Sequence, residues 1–169
     1  MSEYTRTTRE CSVTQLHPEL LQAIGNYFQE HRLGALEAET LLCCETLSKK
    51  RSASKLASWL SGNPDTTIYT GMLLTSQWLI WVHYGDQSGT RLNAANLEEI
   101  RAEFYTSPLT KDAGLEIFGY IGDAKNRVRG YIAMGADPAT QKFCEEVIQA
   151  INKVNPPPTK KGWSRWLTG

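Results

Sequence analysis

Two alternating apolar runs stand side by side in the middle of the chain, in the stretch IYTGMLLTSQWLIWVHYG that ends at Gly85. The runs cover residues 68–75 and 78–84, and the polar pair Ser76-Gln77 separates them. β-Branched and aromatic residues favour a pleated sheet, and Gly71 disfavours a continuous helix. The stretch therefore predicts two antiparallel strands joined by a tight turn, with the hydrophobicity of a hairpin in the middle of a sheet.

Further short strands are predicted where apolar and polar side chains alternate elsewhere in the chain. They cover residues 41–47, 90–93, 100–105, 115–121 and 128–134. In the third of these, Ile100, Ala102 and Phe104 lie on one face. Arg101, Glu103 and Tyr105 lie on the other face. The last two segments form a second hairpin, so about seven strands follow one another in sequence.

Two amphipathic helices flank the strands. The first follows a polar leader of about a dozen residues and has start and stop signals at Pro18 and Gly34. The second begins where the period changes from 2 to 3.6, with Asp137 as a possible N-cap and Pro138 in the first helical position. Its apolar stripe consists of Phe143, Val147, Ile148, Ile151 and Val154. A stripe of this kind needs an apolar surface, so we expect this helix to cover a sheet or the end of a barrel.

Composition restricts the class of protein. The chain has 169 residues, with 18 basic and 18 acidic side chains, which indicates one globular domain with one core. A balanced charge argues against a protein whose whole surface binds nucleic acid, so no nucleic-acid partner is expected. No apolar run approaches the roughly 20 residues of a membrane-spanning helix, and the polar start MSEYTRTTRECS lacks the core of a signal peptide. A cytoplasmic location is therefore expected.

The residue types that support catalysis are scattered. His17, His31 and His83 fall on different predicted elements, and no Ser or Cys has a nucleophile-elbow context. Gly119 and Gly122 do not make a phosphate-binding loop. We therefore predict no catalytic residue and no cofactor, and interpret the protein as non-enzymatic.

The cysteines show neither CxxC spacing nor a Cys/His ligand pattern, so no metal site is predicted. They are Cys11, Cys43, Cys44 and Cys144. Cys43 and Cys44 point to opposite faces if they lie on a strand. We interpret the four as reduced thiols, most of them small core residues.

The order of the segments resembles a known family. The run GMLLTSQWLIWVHYG, then LEEIRAEFY, then LEIFGYIGDAKNRVRGYIAM with the closing helix ATQKFCEEVIQAI, is similar to the bacterial pleckstrin-homology-like (PH-like) and GRAM-like domains. The resemblance covers roughly residues 37–154 and departs after LT, where the family often has a basic residue and this chain has Ser76, Gln77 and Trp78.

That resemblance implies a mainly β, α+β fold, in which a PH-like barrel of about seven antiparallel strands is capped by the C-terminal helix and preceded by an extra helix. The expected organisation is a leader and amphipathic helix in 1–36, the PH-like domain in 37–155, and a Pro-rich spacer with a Trp-rich tail in 156–169. It also implies association into homo-oligomers.

A basic segment follows the first predicted strand, in the expected loop between Lys49 and Thr66. Its candidate ligand-binding residues are Lys49, Lys50, Arg51, Lys55 and Trp59. The resemblance implies an anion site here, because PH domains that bind phosphoinositides collect their Lys and Arg in this loop. Each basic side chain near an anionic membrane contributes roughly 1 kcal/mol. The alternative is a solvated loop in which a helical turn, KLASWL, folds back on the barrel.

The tail beyond three prolines carries candidate partner-binding residues at helical spacing. They are Trp163, Arg165, Trp166 and Leu167. Exposed indoles need a covering surface, which a partner, a neighbouring subunit, a membrane or the chain's own barrel would supply.

The leading interpretation is a non-enzymatic PH-like binding or assembly module that contacts a protein partner or associates with itself. Two alternatives stay open. One is a peripheral binder of anionic lipid headgroups that uses the basic segment, and the other is an enzyme with an unrecognised site.

Overall fold

A computed structural model describes residues 3–51, 64–107 and 112–156. The described part of the chain is mainly β, with eight strands and three α-helices. In chain order these are β1 (Tyr4–Glu10), α1 (Pro18–His31), α2 (Leu36–Glu39), β2 (Leu42–Lys50), β3 (Thr67–Leu74), β4 (Trp78–Gly85), β5 (Gly89–Asn96), β6 (Ile100–Thr106), β7 (Ala113–Gly119), β8 (Val128–Met134) and α3 (Pro138–Val154).

The strands form two antiparallel sheets. The first holds β1 to β5 in chain order and the second holds β6 to β8. The predicted hairpin is confirmed as β3 and β4, which lie inside the five-stranded sheet with Leu74 opposite Leu79. Its turn is closed by the side chain of Thr75, whose Oγ1 accepts a hydrogen bond from the Trp78 amide at 2.9 Å.

The expected antiparallel strands and C-terminal helix are present, but the described strands do not close into a barrel. Within the described ranges eight strands form two separate sheets, and no strand pairing joins one sheet to the other. On one side the chain crosses between the sheets through a single 3₁₀ turn at Leu97–Glu99. On the other side the amide of Thr8 donates to Asp137 Oδ2 at 2.7 Å, and the amide of Gly135 donates to Thr8 Oγ1 at 2.9 Å. Hydrogen bonds that involve side chains thus connect the two sheets here, whereas a closed barrel would have backbone pairing between strands.

Strand β1 was not expected, because it lies in the segment interpreted as a polar leader. Only Tyr4 and Thr8 of its seven residues are buried, and both carry a hydroxyl group. The apolar alternation that identifies a strand is therefore absent from its sequence. Its pairing with β2, from Tyr4 opposite Lys50 to Glu10 opposite Cys44, makes it a strand.

Two apolar cores lie on opposite faces of the five-stranded sheet. One fills the space between the two sheets and α3, and the other lies between the sheet and α1. Cys44 belongs to the first and Cys43 to the second, which confirms that these neighbours point to opposite faces. Since both faces are buried, β3 and β4 are nearly continuously apolar.

Both predicted helices are confirmed. Helix α3 has the predicted bounds, and Phe143, Val147 and Ile151 of its stripe are buried against the sheets. Asp137 occupies the N-cap position, but its side chain makes no cap hydrogen bond, because the carboxylate binds the amide of Thr8 instead. Of the described helices, none is both long and apolar enough to span a bilayer.

Candidate interaction surface

The residues of the basic segment do not all lie in one loop. Lys49 and Lys50 belong to β2 and not to a loop. The Nζ of Lys50 lies 3.0 Å from Glu3 Oε1, and only 8% of the Lys50 side chain is exposed. Lys49 is exposed, and the exposed Arg51 donates from Nε to Thr5 Oγ1 at 3.1 Å. The structure therefore pairs Lys50 inside the protein and leaves its two neighbours facing solvent.

The remaining candidates of this segment, Lys55 and Trp59, lie outside the described residues, as does the predicted helical turn. The same is true of the tail candidates Trp163, Arg165, Trp166 and Leu167. The described chain ends at Pro156, whose carbonyl oxygen accepts a hydrogen bond from Arg101 Nη2 at 3.0 Å. Arg101 also donates to the carbonyl oxygen of Asn155. The last described residue, Pro156, therefore lies beside β6.

The outer face of the three-stranded sheet carries aromatic and charged side chains together. We call it the aromatic face, and it comprises Arg101, Glu103, Tyr105, Glu116, Phe118, Arg129 and Tyr131. The side chains opposite to these positions, including Leu115, Ile117 and Ile132, are buried in the core between the sheets. This sheet is thus covered on one side, and its other side is the aromatic face.

The aromatic face is ordered in rows across the strands. One row holds Arg101, Phe118 and Arg129, and the next holds Glu103, Glu116 and Tyr131. Tyr105, Phe118 and Tyr131 remain 44%, 41% and 43% exposed within the described part of the chain. Exposed aromatic groups this close together are typical of surfaces that other molecules cover.

Local contacts fix the aromatic rings in place. The rings of Tyr105 and Tyr131 meet edge to face, with centroids 5.4 Å apart, and Tyr131 Oη donates to the carbonyl oxygen of Ala113 at 3.2 Å. A Cβ at Gly114 would lie 2.1 Å from the carbonyl oxygen of Ile132 and 3.0 Å from the Tyr131 ring, so glycine leaves room for both. Partial burial raises the pKa of Tyr131 to about 12, so its hydroxyl is protonated at neutral pH. The face is therefore largely preorganised.

Ionic contacts surround the rings. Arg129 Nε lies 3.1 Å from Glu116 Oε1. At the end of the sheet the guanidinium of Arg127 lies 5.9 Å from the ring centroid of Tyr120. The face thus interleaves aromatic rings with charged side chains, and Tyr and Arg are residue types enriched in protein–protein contacts.

The histidines occupy three separate places. The ring of His17 packs on Tyr69 at 4.2 Å, and that of His31 on Tyr27 at 4.1 Å. His83 Nδ1 lies 2.9 Å from Thr70 Oγ1, and burial lowers its pKa. No group of three or more His, Cys, Asp or Glu side chains in the described ranges is arranged to hold a metal ion.

Sequence reasoning placed Tyr105 on the face of Arg101 and Glu103 but did not identify that face as a site. It missed Phe118 and Tyr131 entirely. Aromatic residues at alternate positions of neighbouring predicted strands were the signal that would have found them. No protein-family model, curated protein or solved structure matches this chain.

Proposed function

We propose that the protein is a non-enzymatic, PH-like assembly module that binds a second copy of itself through the aromatic face. The antiparallel strands followed by a helix packed against both sheets support the PH-like assignment. The observation that carries the binding role is the exposure of Tyr105, Phe118 and Tyr131 on the uncovered side of a sheet. Covering such rings removes apolar surface from water, at about 25 cal/mol per Å².

A second copy is favoured by the arrangement of charge. The row with Arg101 and Arg129 lies directly beside the row with Glu103 and Glu116. Two copies can face each other across a two-fold axis that runs along the boundary between these rows. This symmetry places each arginine row opposite the partner's glutamate row. The face is therefore complementary to itself, and like charges do not oppose one another.

The size of the face limits the strength of this contact. Three strands of seven residues span only about 14 by 23 Å, whereas a stable complex buries about 800 Å² on each partner. The exposed side chain of Tyr120, two residues beyond Phe118, would have to contribute. We therefore expect a weak dimer whose population rises with protein concentration.

Sedimentation velocity over a hundredfold concentration range tests the proposal. The wild-type chain should shift from monomer to dimer, and the Tyr105→Ser/Phe118→Ser variant should stay monomeric with an unchanged circular dichroism spectrum. Leu41→Ser is the matched control, because Leu41 is 64% exposed outside the aromatic face. A wild-type chain that is monomeric throughout, or a double variant that dimerises as well, contradicts the proposal.

A second candidate function is binding of anionic lipid headgroups. It is favoured by the exposure of Lys49 and Arg51, which are two residues apart and so share one face of the β2 segment. Sedimentation with phosphatidylserine vesicles at low and high salt tests it, with Lys49→Ser/Arg51→Ser as the variant and Lys50 left in its ion pair. Absence of salt-sensitive binding by the wild type rejects this function.

A further inference from the structure

Two cysteines approach each other at the end of the first strand pair. Cys11 follows β1, and its amide donates to the carbonyl oxygen of Cys43 on β2 at 3.1 Å. Their Sγ atoms are 3.9 Å apart. Residues opposed across antiparallel strands have Cα atoms about 4.5–5.5 Å apart, which lies within the range that a disulfide spans. The thiols are therefore placed to bond without a rearrangement of the strands.

The two thiols differ in access. Cys11 is partly exposed and lines a cleft of about 400 Å³, together with residues of the segment 12–14 and the start of β2. Cys43 also borders the cleft, but it is only 3% exposed and packs in the core beneath α1. Cys44 points into the other core, where Cys144 also lies. A small solute in the cleft therefore meets Cys11 first, and Cys43 is the thiol next to it.

The electrostatic environment separates their roles. The hydrogen bond from the Cys43 thiol lowers the pKa of Cys11 more than burial raises it, and the charge of Arg9 lowers it further. The same hydrogen bond and burial raise the pKa of Cys43. Cys11 is thus the better thiolate nucleophile, and Cys43 holds its proton.

We propose that Cys11 and Cys43 form a reversible oxidation site that reacts with a small hydroperoxide and closes to an intramolecular disulfide. The Cys11 thiolate attacks one peroxide oxygen, so an S–O bond forms, the O–O bond breaks and the alcohol or water leaves with a proton. Cys43 Sγ then attacks Cys11 Sγ, the S–S bond forms, and hydroxide leaves with the thiol proton as water. Two thiols are oxidised by two electrons and one peroxide is reduced.

The bond would join the end of β1 to the start of β2 across residues 12–42, which include α1. Cross-linking a loop of this length restricts the unfolded chain, so oxidation should raise the melting temperature by several degrees. A thiol reductant should return it to the starting value.

Hydrogen peroxide treatment of the full-length chain, followed by alkylation of denatured protein and peptide mass spectrometry, tests the proposal. The expected product has lost two hydrogens, retains two alkylatable thiols and contains a Cys11–Cys43 peptide that dithiothreitol removes. Oxidation of the chain in urea is the matched control, because there Cys44 competes with Cys43 for Cys11. Native protein that keeps four alkylatable thiols, or pairs Cys11 with Cys44 or with another chain, overturns the proposal.

Two variants separate the steps. Cys43→Ser should trap the sulfenic acid on Cys11. The variant should give several-fold more dimedone adduct than the wild type. Cys11→Ser, at the more exposed position, should be unreactive while Cys144→Ser behaves as wild type. Equal peroxide consumption by Cys11→Ser and wild type contradicts the assignment of Cys11 as the nucleophile.

Discussion

Asp65 is a buried carboxylate that organises the turn between β4 and β5. Its Oδ1 accepts hydrogen bonds from the amides of Gln87 and Ser88, both at 2.8 Å, and its Oδ2 accepts one from Ser88 Oγ at 2.6 Å. The space is so restricted that a Cβ at Gly85 would lie 2.3 Å from Oδ2. Burial alone would raise the pKa of Asp65, but the bonds from Ser88 and Gln87 together lower it.

These hydrogen bonds make stability depend on pH. The pKa of Asp65 is lower in the folded than in the unfolded chain, where it is about 3.9. Its contribution is therefore complete above the unfolded value and is lost as the pH falls through the folded value. At pH 7, Asp65→Asn should lower the free energy of unfolding by about 1–3 kcal/mol, because donors in the turn lose a charged acceptor.

Urea denaturation at pH values between 2 and 7 measures this effect. The difference between wild type and Asp65→Asn should shrink as the solution becomes acidic. The exposed Asp123→Asn in the turn after β7 is the control and should stay within about 0.5 kcal/mol of wild type. A pH-independent difference for Asp65→Asn would show that packing, and not charge, determines the cost.

Among the elements, β1 is the strand that its sequence indicates least clearly. It lies at the edge of the five-stranded sheet and links that sheet to the segment after β8. Its residue Thr8 contacts three residues in two other segments. Oγ1 lies 2.7 Å from Thr46 Oγ1 on β2 and accepts the Gly135 amide, and the Thr8 amide donates to Asp137. This junction connects the five-stranded sheet with the turn that leads from β8 into α3. The hydroxyl group of Thr8 thus makes this buried junction by hydrogen bonding, at a place where an apolar contact would be expected.

Thr8→Val keeps the shape of the side chain and removes that hydroxyl. Because the Gly135 amide then loses its acceptor in a buried place, the free energy of unfolding should fall by about 1–3 kcal/mol. Thr7→Val on the same strand is the matched control, since Thr7 is exposed, and should change stability by less than about 0.5 kcal/mol. Equal denaturation midpoints for the two variants would show that the junction does not stabilise the fold.

At the scale of the molecule, the aromatic face is small for a dimer contact, and the described chain ends next to it. The last described residue, Pro156, lies beside Arg101, a residue of that face, and the sequence after it contains Trp163 and Trp166. Full burial of a large aromatic side chain contributes up to about 3 kcal/mol. We therefore expect the tail to add apolar contact area to the proposed dimer.

Truncation after Pro156 tests this expectation. The truncated chain should keep its circular dichroism spectrum and dimerise at least tenfold more weakly in sedimentation velocity. Replacing Lys160 and Lys161 by Ser in the full chain is the control for charge alone. Identical association of truncated and full-length chains would show that the tail serves another surface or another molecule.

Local periodicity was sufficient for much of the fold. The β3–β4 hairpin and the bounds of α3 follow from alternation around Ser76-Gln77 and from the proline that begins the helix, because these signals act between near neighbours. The sequence did not predict that Lys50 of the basic segment is paired with Glu3. That ion pair depends on β1, a strand that the sequence pattern does not indicate.

What only the tertiary structure decided depends on contacts between distant residues. Strand β1 forms because β2 offers it an edge, and the sheets stay separate because the side chains of Thr8 and Asp137 occupy their junction. The aromatic face exists because Phe118 and Tyr131 lie on neighbouring strands with no described helix covering them. Sequence periodicity fixes which side of a strand a residue occupies, but burial of that side depends on which element packs there.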